Sequence, residues 1–318
     1  MRNCFSTVVL AAALAASAAA QPTPPWSRGA NNPAGDRGFV FQVPDVDNVP
    51  DLHGDPCDAR LVLFVGGNQF MVLPGLVAAF ERSHPDLKGR IFYETLPPGI
   101  LRKQLSSGGR LTLGNLTIHA PADVYEAGAR VLSEMERDGL VSNTVRYASN
   151  QLEIMVRAGN PRRIRSLRDL ASPDIRLSMP NPEWEGVARQ IAASLERSGG
   201  PDLLKAVMET KVRQGSTWLT QIHHRQTPMR ILDGVADAGV TWASEVRFQQ
   251  KTGNPIAGVA IPADQNTTAI YSAGVLRDAP HPDAARAWVK FLASPEAQAV
   301  YREYGFGPAT GTPEGGQP

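Results

Sequence analysis

Leu61-Val62-Leu63-Phe64-Val65-Gly66-Gly67-Asn68-Gln69 is the stretch on which the fold depends. Five consecutive apolar residues fit a strand buried on both faces of a parallel sheet, because a strand with one wet face would alternate. After the Gly66-Gly67-Asn68 turn a helical pattern begins, with Phe70, Leu73, Val77 and Phe80 at i, i+3, i+7 and i+10. Pro74 inside that pattern predicts a helix that starts late or kinks.

Working outward, the two signals keep alternating. Ile91-Phe92-Tyr93 reads as a strand, Ile100 to Leu105 as a helix start, Asp123-Val124-Tyr125 as the end of a strand and Val131 to Leu140 as a helix. Strands follow at Leu152 to Val156 and Ile175 to Ser178, with a capping-box sequence at Ser166-Leu167-Arg168-Asp169 between them. A long helix is expected from Glu183 to Arg197, stopped by Gly199-Gly200. Pro201 to Val212 is helical, and Thr227-Pro228 reads as an N-cap followed by proline at N1. Strands at Ala238 to Trp242, Val259 to Ile261 and Thr268 to Leu276 precede helices at Pro282 to Leu292 and Pro295 to Tyr304. Strands alternating with helices imply α/β layers.

The 318 residues are 42% hydrophobic and 20% charged, an ordinary globular composition that excludes disordered, collagen-like and coiled-coil classes. Such a length suggests two domains or one large one. The formal net charge of +1 offers no long-range field for nucleic acid or an acidic membrane. A charged ligand must therefore be held locally, by a few groups in a cleft.

Arg2, the apolar run Thr7 to Ala20 and the ending Ala18-Ala19-Ala20 have the form of a cleaved secretory signal peptide. The run is too short to span a bilayer. Removing it leaves 31 basic and 31 acidic residues, and one cysteine, Cys57. A lone cysteine forms neither an internal disulfide nor a cysteine-based metal cluster, and Cys57 is expected to be a partly buried, inert residue. Export without disulfides suits a bacterial periplasm. Residues 21–57 read as an irregular arm rich in Pro, Gly, Asn and Asp, and residues 309–318 as a disordered tail.

Catalytic signatures are missing: there is no G-x-S-x-G, no G-x-x-x-x-G-K-[ST], no H-E-x-x-H and no G-x-G-x-x-G spacing. No enzyme activity and no cofactor is expected. In open α/β sheets ligands bind beyond the carboxyl ends of strands, where helix N-termini present free N–H groups. Here those turns carry small and polar residues: Gly66 to Gln69, Thr95 to Gly99, Pro180 to Trp184 and Gln226 to Pro228. Each is either a cap and turn only, or part of one anion site.

His223-His224-Arg225 is the densest polar cluster. Arg225 suits a bidentate anion clamp, and a histidine either donates to the ligand, binds metal, or serves the surface. His223 and His224 lack the i, i+4 spacing of a helical metal site, although with Glu183 or Glu185 they offer an alternative cation site. Trp242 either covers a ligand or fills the core. The run Arg157 to Arg168, with five arginines, reads as a solvated turn and helix, a docking role being the alternative.

The ordered succession of Leu61 to Gln69, Leu76 to Pro85, Ala122 to Tyr125, Val156 to Leu170, Gly234 to Ala243 and Trp288 to Gly307 resembles the periplasmic solute-binding proteins of ABC importers. It looks closest to the type II group that includes the molybdate- and sulfate-binding proteins. The resemblance implies an α/β fold of two lobes, joined by two hinge strands, with the ligand cleft between them. Lobe one would be 58–150 plus 268–308, and lobe two 151–267. The ligand residues carried over are Gly67, Asn68, Gln69, Thr95, Gly99, Asn181, Glu183, His224, Arg225, Thr227 and Trp242. Asn68-Gln69 and Leu96-Pro97-Pro98 stand where small hydroxyl residues are usual, so a carboxylate, an organic phosphate or another oxyanion also fits. A monomer is expected, delivering a small anion to an ABC permease by hinge closure. The alternatives are a receptor read by a membrane sensor kinase, or a metal or metal-chelate binder using His223, His224 and Glu183.

Overall fold

The structure, a computed structural model, describes residues 51–113, 116–183, 185–221 and 226–309. The expected signal peptide, most of the arm, and His223, His224 and Arg225 lie outside the described residues. Strands β1 (Leu52–His53), β2 (Leu61–Val65), β3 (Ile91–Glu94) and β6 (Val124–Gly128) form one half of the main sheet. Strands β8 (Leu177–Met179), β9 (Thr217–Leu219), β10 (Ala238–Trp242) and β11 (Ile256–Ala260) form the other. β7 (Val141–Arg157) runs through both, and β12 (Thr268–Leu276) lies beside its first part. The order is β1-β3-β2-β6-β12-β7-β10-β8-β9, with β11 on the other side of β7's second part. β4 (Arg110–Leu113) and β5 (Leu116–His119) form a separate hairpin.

β3-β2-β6 are parallel, as are β10-β8-β9, so each half turns one set of strand ends toward the other half. The chain passes between halves twice, within β7 and between β11 and β12. Asn266 ties these crossings together: its Oδ1 accepts from the Leu152 N–H at 3.1 Å and its Nδ2 donates to the Leu152 carbonyl at 2.8 Å.

Helices α1 (Leu73–Ser83), α2 (Pro98–Ser106), α3 (Ala129–Arg137), α8 (Pro282–Phe291) and α9 (Pro295–Glu303) cover the first half. Helices α4 (Val187–Lys205), α5 (Lys211–Arg213), α6 (Gln226–Leu232) and α7 (Ala243–Lys251) cover the second. β2 explains why: all five residues are buried, Leu61, Leu63 and Val65 packing with Phe80 and Trp288 on one face, and Val62 and Phe64 with Leu101 and Tyr125 on the other. A strand clothed by helices on both faces has no polar position.

Several boundaries differ from expectation. α1 starts late, with Pro74 in its first turn, where the missing N–H costs nothing. The strand expected to end at Tyr125 begins at Val124. The long helix begins at Val187, not Glu183; as expected it is interrupted at Gly200, whose φ of 73° and ψ of −175° are not helical, and a second helical segment runs on from Pro201 to Lys205. Thr227 lies in the first turn of α6, not at its cap. The Ser166–Asp169 capping box forms on a 3-10 turn. Cys57 is exposed, not partly buried: it sits in an open turn before β2, its N–H donating to Asp55 Oδ1 at 2.9 Å.

Candidate functional site

A cleft of ≈ 120 Å³ opens where the strand ends of the two halves face each other. Four helices begin at its wall. Pro97 and Pro98 open α2, Gly128 precedes α3, Gly186 precedes α4 and Trp242 precedes α7. None of these four N-termini has a side-chain cap, and α2, α3 and α4 have no acidic residue in the first turn. The positive dipole ends of helices that start at the wall of one space favour an anion there.

The floor comes from the strand-to-helix turn after β2. Gly67–Gln69 is a 3-10 turn, anchored by Gly66 N–H to the Glu126 carbonyl and Gly67 N–H to the Leu96 carbonyl, both at 3.0 Å. Asn68 donates through Nδ2 to the Tyr271 hydroxyl. Tyr271 comes from β12, packs edge-on to Trp242 at 6.1 Å between ring centroids, and lines the cleft. Burial raises its hydroxyl pKa above the ordinary tyrosine value, so it stays a neutral donor and acceptor. Gln69 lies behind this wall, fully buried, accepting from Tyr147 Oη at 3.0 Å and Tyr301 Oη at 3.2 Å.

The second half contributes Glu185, Arg189 and Gln190 beside Gly186. Glu185 is buried, and its carboxylate accepts from the Thr220 hydroxyl and from Asn181 N–H at 3.2 Å. Arg189 is exposed at the mouth and supplies a positive charge.

Of the residues singled out from sequence, the cleft wall therefore brings together Gly67, Asn68 and Trp242. Thr95 is fully buried and donates to Asp51 Oδ1 at 3.3 Å, holding the edge strand. Gly99 is exposed in the first turn of α2. Asn181 Oδ1 accepts from the N–H of exposed Glu183 at 3.0 Å, closing a local turn. The Thr227 hydroxyl faces Ser178 Oγ at 3.2 Å, joining α6 to β8. Among the described residues no three or more His, Cys, Asp or Glu side chains are grouped to hold a metal ion.

Tyr271, Gly128, Gly186 and Arg189 were not singled out from sequence. An uncapped N-terminus carries no capping sequence, and Tyr271 reads only as a strand residue.

Two α/β halves joined by two crossings, with an anion-favouring cleft between them, define a two-lobed solute-binding protein of the type II periplasmic kind. The family model described as bacterial extracellular solute-binding protein matches residues 61–307, and the chain belongs to that family. A sulfate-binding protein of Synechococcus elongatus is 26% identical over 187 residues, 57% of this chain and 51% of that one. The chain thus spans about half the length of that relative. Among solved structures, the sulfate-binding protein SubI of Mycobacterium tuberculosis shares the fold at 20% identity and TM-score 0.63, covering 79% of this chain and 86% of its own. The periplasmic molybdate-binding protein of Azotobacter vinelandii does so at 16% identity and TM-score 0.61, covering 77% and 98%. These relatives are binding proteins by name.

Proposed function

We propose that the chain binds a small inorganic oxyanion in this cleft and delivers it to the permease of an ABC importer from the periplasm. The observation that carries this reading is the convergence of four uncapped helix N-termini on a space of ≈ 120 Å³. Cavities for drug-sized ligands hold about 300–1,000 Å³, so an ion fits this one better than an organic phosphate or a larger acid. The names of the relatives, sulfate-binding and molybdate-binding, supply the ligand class to try first. Residues 58–150 with 268–308 form lobe one and residues 151–267 lobe two in this reading. The lobes close by bending at β7 and between β11 and β12, and the closed surface is what the permease reads. Residues 1–20 serve as the export signal.

Neutral donors balance most of the anion charge: backbone N–H groups of the helix starts, and Asn68 and Tyr271 side by side on the wall. Arg189, and Arg225 from the sequence, add charge.

A thermal-shift panel of sulfate, molybdate, tungstate, phosphate, short carboxylates and divalent metals tests the reading. A ligand at about 100 times its dissociation constant should add about 2.7 kcal/mol of stability. Stabilisation by one tetrahedral oxyanion, confirmed by calorimetry, is the expected result. Stabilisation by metals alone, reversed by chelator, would overturn it.

A further inference from the structure

Lobe one carries a second, larger cavity, of ≈ 450 Å³, that shares no lining residue with the cleft. It lies at the opposite end of the same elements. On α3, Val131 faces the cleft and Met135 this cavity; on β12, Ala269 and Tyr271 line the cleft and Leu276 this cavity. Its volume falls within the range of about 300–1,000 Å³ usual for organic ligands.

The lining has two characters. Leu105, Ala122, Met135, Leu140 and Leu276 provide apolar wall. Leu140 is 38% exposed, one of two large exposed hydrophobic residues among the described ones, although its backbone is fixed by Leu140 N–H to the Met135 carbonyl at 2.8 Å and Arg277 N–H to the Leu140 carbonyl at 3.0 Å. An apolar side chain held rigidly at the mouth of a cavity gains from being covered.

The second character is positive. Arg102, from α2, and Arg277, just after β12, line the cavity together with the single carboxylate of Asp278, so its charged lining is net positive by one. Arg102 has no carboxylate partner among the described residues. Arg277 faces only Asp278, at 3.6 Å and with both side chains largely exposed, a pair worth little in water. A guanidinium beside apolar wall recognises a carboxylate by a charge-assisted pair while the wall takes up hydrocarbon.

We propose that this cavity is a second binding site, for an amphipathic carboxylate whose apolar body lies along Met135, Leu140 and Leu276 and whose head pairs with Arg102. The site is independent of the oxyanion reading of the cleft.

The test uses the full chain with methyl-labelled methionine, the Met135 signal being assigned with Met135→Leu, and decanoate as probe. The Met135 methyl signal should move saturably, with a submillimolar dissociation constant. Arg102→Ala should weaken binding by about tenfold or more, the loss expected for one charged hydrogen bond. Leu140→Asp, at an exposed position that tolerates the change, should weaken it similarly. Decyltrimethylammonium, with the same chain and the opposite charge, should leave the signal unmoved, and excess sulfate or molybdate should not displace decanoate. Absence of a saturable shift, unchanged affinity in Arg102→Ala, an equal response to the cationic amphiphile, or displacement by the cleft anions would each overturn the proposal. Sulfate and molybdate binding is read separately by calorimetry, so failure of the cleft reading leaves this result interpretable.

Discussion

Glu185 is the buried carboxylate on the cleft wall. A carboxylate among groups that favour an anion is repulsive to a fully ionised ligand, and its bonds to Thr220 and Asn181 keep it in place. Gln at this position still accepts from Thr220 through Oε1 but carries no charge. Glu185→Gln should therefore tighten binding of sulfate or molybdate by about 1–2 kcal/mol, the scale of one unit charge near a protein surface with partial screening. Calorimetry on the purified variant checks this, and a weakened affinity would show that the carboxylate helps to hold the ligand. Residue by residue, the sequence was informative where type and role coincide. Asn68 and Trp242 are polar or amphipathic groups at strand ends, and they line the cleft. Thr95 and Thr227 have the same appearance, yet their hydroxyls serve Asp51 and Ser178, which are remote in sequence and invisible to a local reading.

Elements repeat that lesson in the helix starts. The cleft depends on N-termini without caps, and a reading that finds helices by their caps passes over them. Gly128 before α3 and Gly186 before α4 give no Ser-x-x-Glu signal because a glycine has no side chain to cap with, and in the proposed site a capping side chain would compete with the anion for the helix start. The same logic makes a prediction. A Cβ at Gly128 would meet nothing within 4 Å, and the backbone there, φ −59° and ψ 139°, suits any residue. Gly128→Asp should cap α3 and raise stability by about 0.5 kcal/mol, while placing a negative charge on the cleft wall that weakens sulfate or molybdate binding at least about tenfold. Denaturant midpoints and calorimetry read the two effects apart; a variant that gains stability and keeps its affinity would remove the α3 start from the site. β2 was legible because burial on both faces leaves five apolar residues in a row. β7 was legible only in its second part: between Ser142 and Arg146 it is exposed or half-buried, so the apolar signal fades although the strand continues.

At the scale of the whole molecule, the first half of the sheet buries Glu94 and Glu126, on strands whose other residues are mostly apolar, as well as Asp51 and Asp123. Glu94 is fully buried, accepting from Gln104 Nε2 at 2.9 Å, and burial pushes its pKa up to about 8, with Asp51 adding to the rise and the Gln104 bond opposing it. Glu126, on the strand that leads to the cleft, accepts from Trp288 Nε1 at 2.7 Å, and burial pushes it up to about 7 against the pull of that bond and of Tyr147. In the unfolded chain both titrate near 4.5. Below that pH both states are protonated and neither residue costs anything. As pH rises from about 4.5 toward 7 and 8 the unfolded chain ionises while the folded one does not, so these groups progressively reduce stability, and above about 8 the loss is constant. Each cost is on the order of a few kcal/mol. Glutamine matches the protonated acid in shape, and its Oε1 still accepts from Gln104 or Trp288. The urea midpoints of Glu94→Gln and Glu126→Gln should therefore coincide with that of the parent at pH 4.5. At pH 8.5 they should lie above it, with most of the Glu126→Gln gain already present at pH 7. Comparing variant with parent at each pH cancels the titration of every other group. Midpoints that stay parallel across the whole range would mean that the two carboxyls ionise inside the fold as readily as outside it.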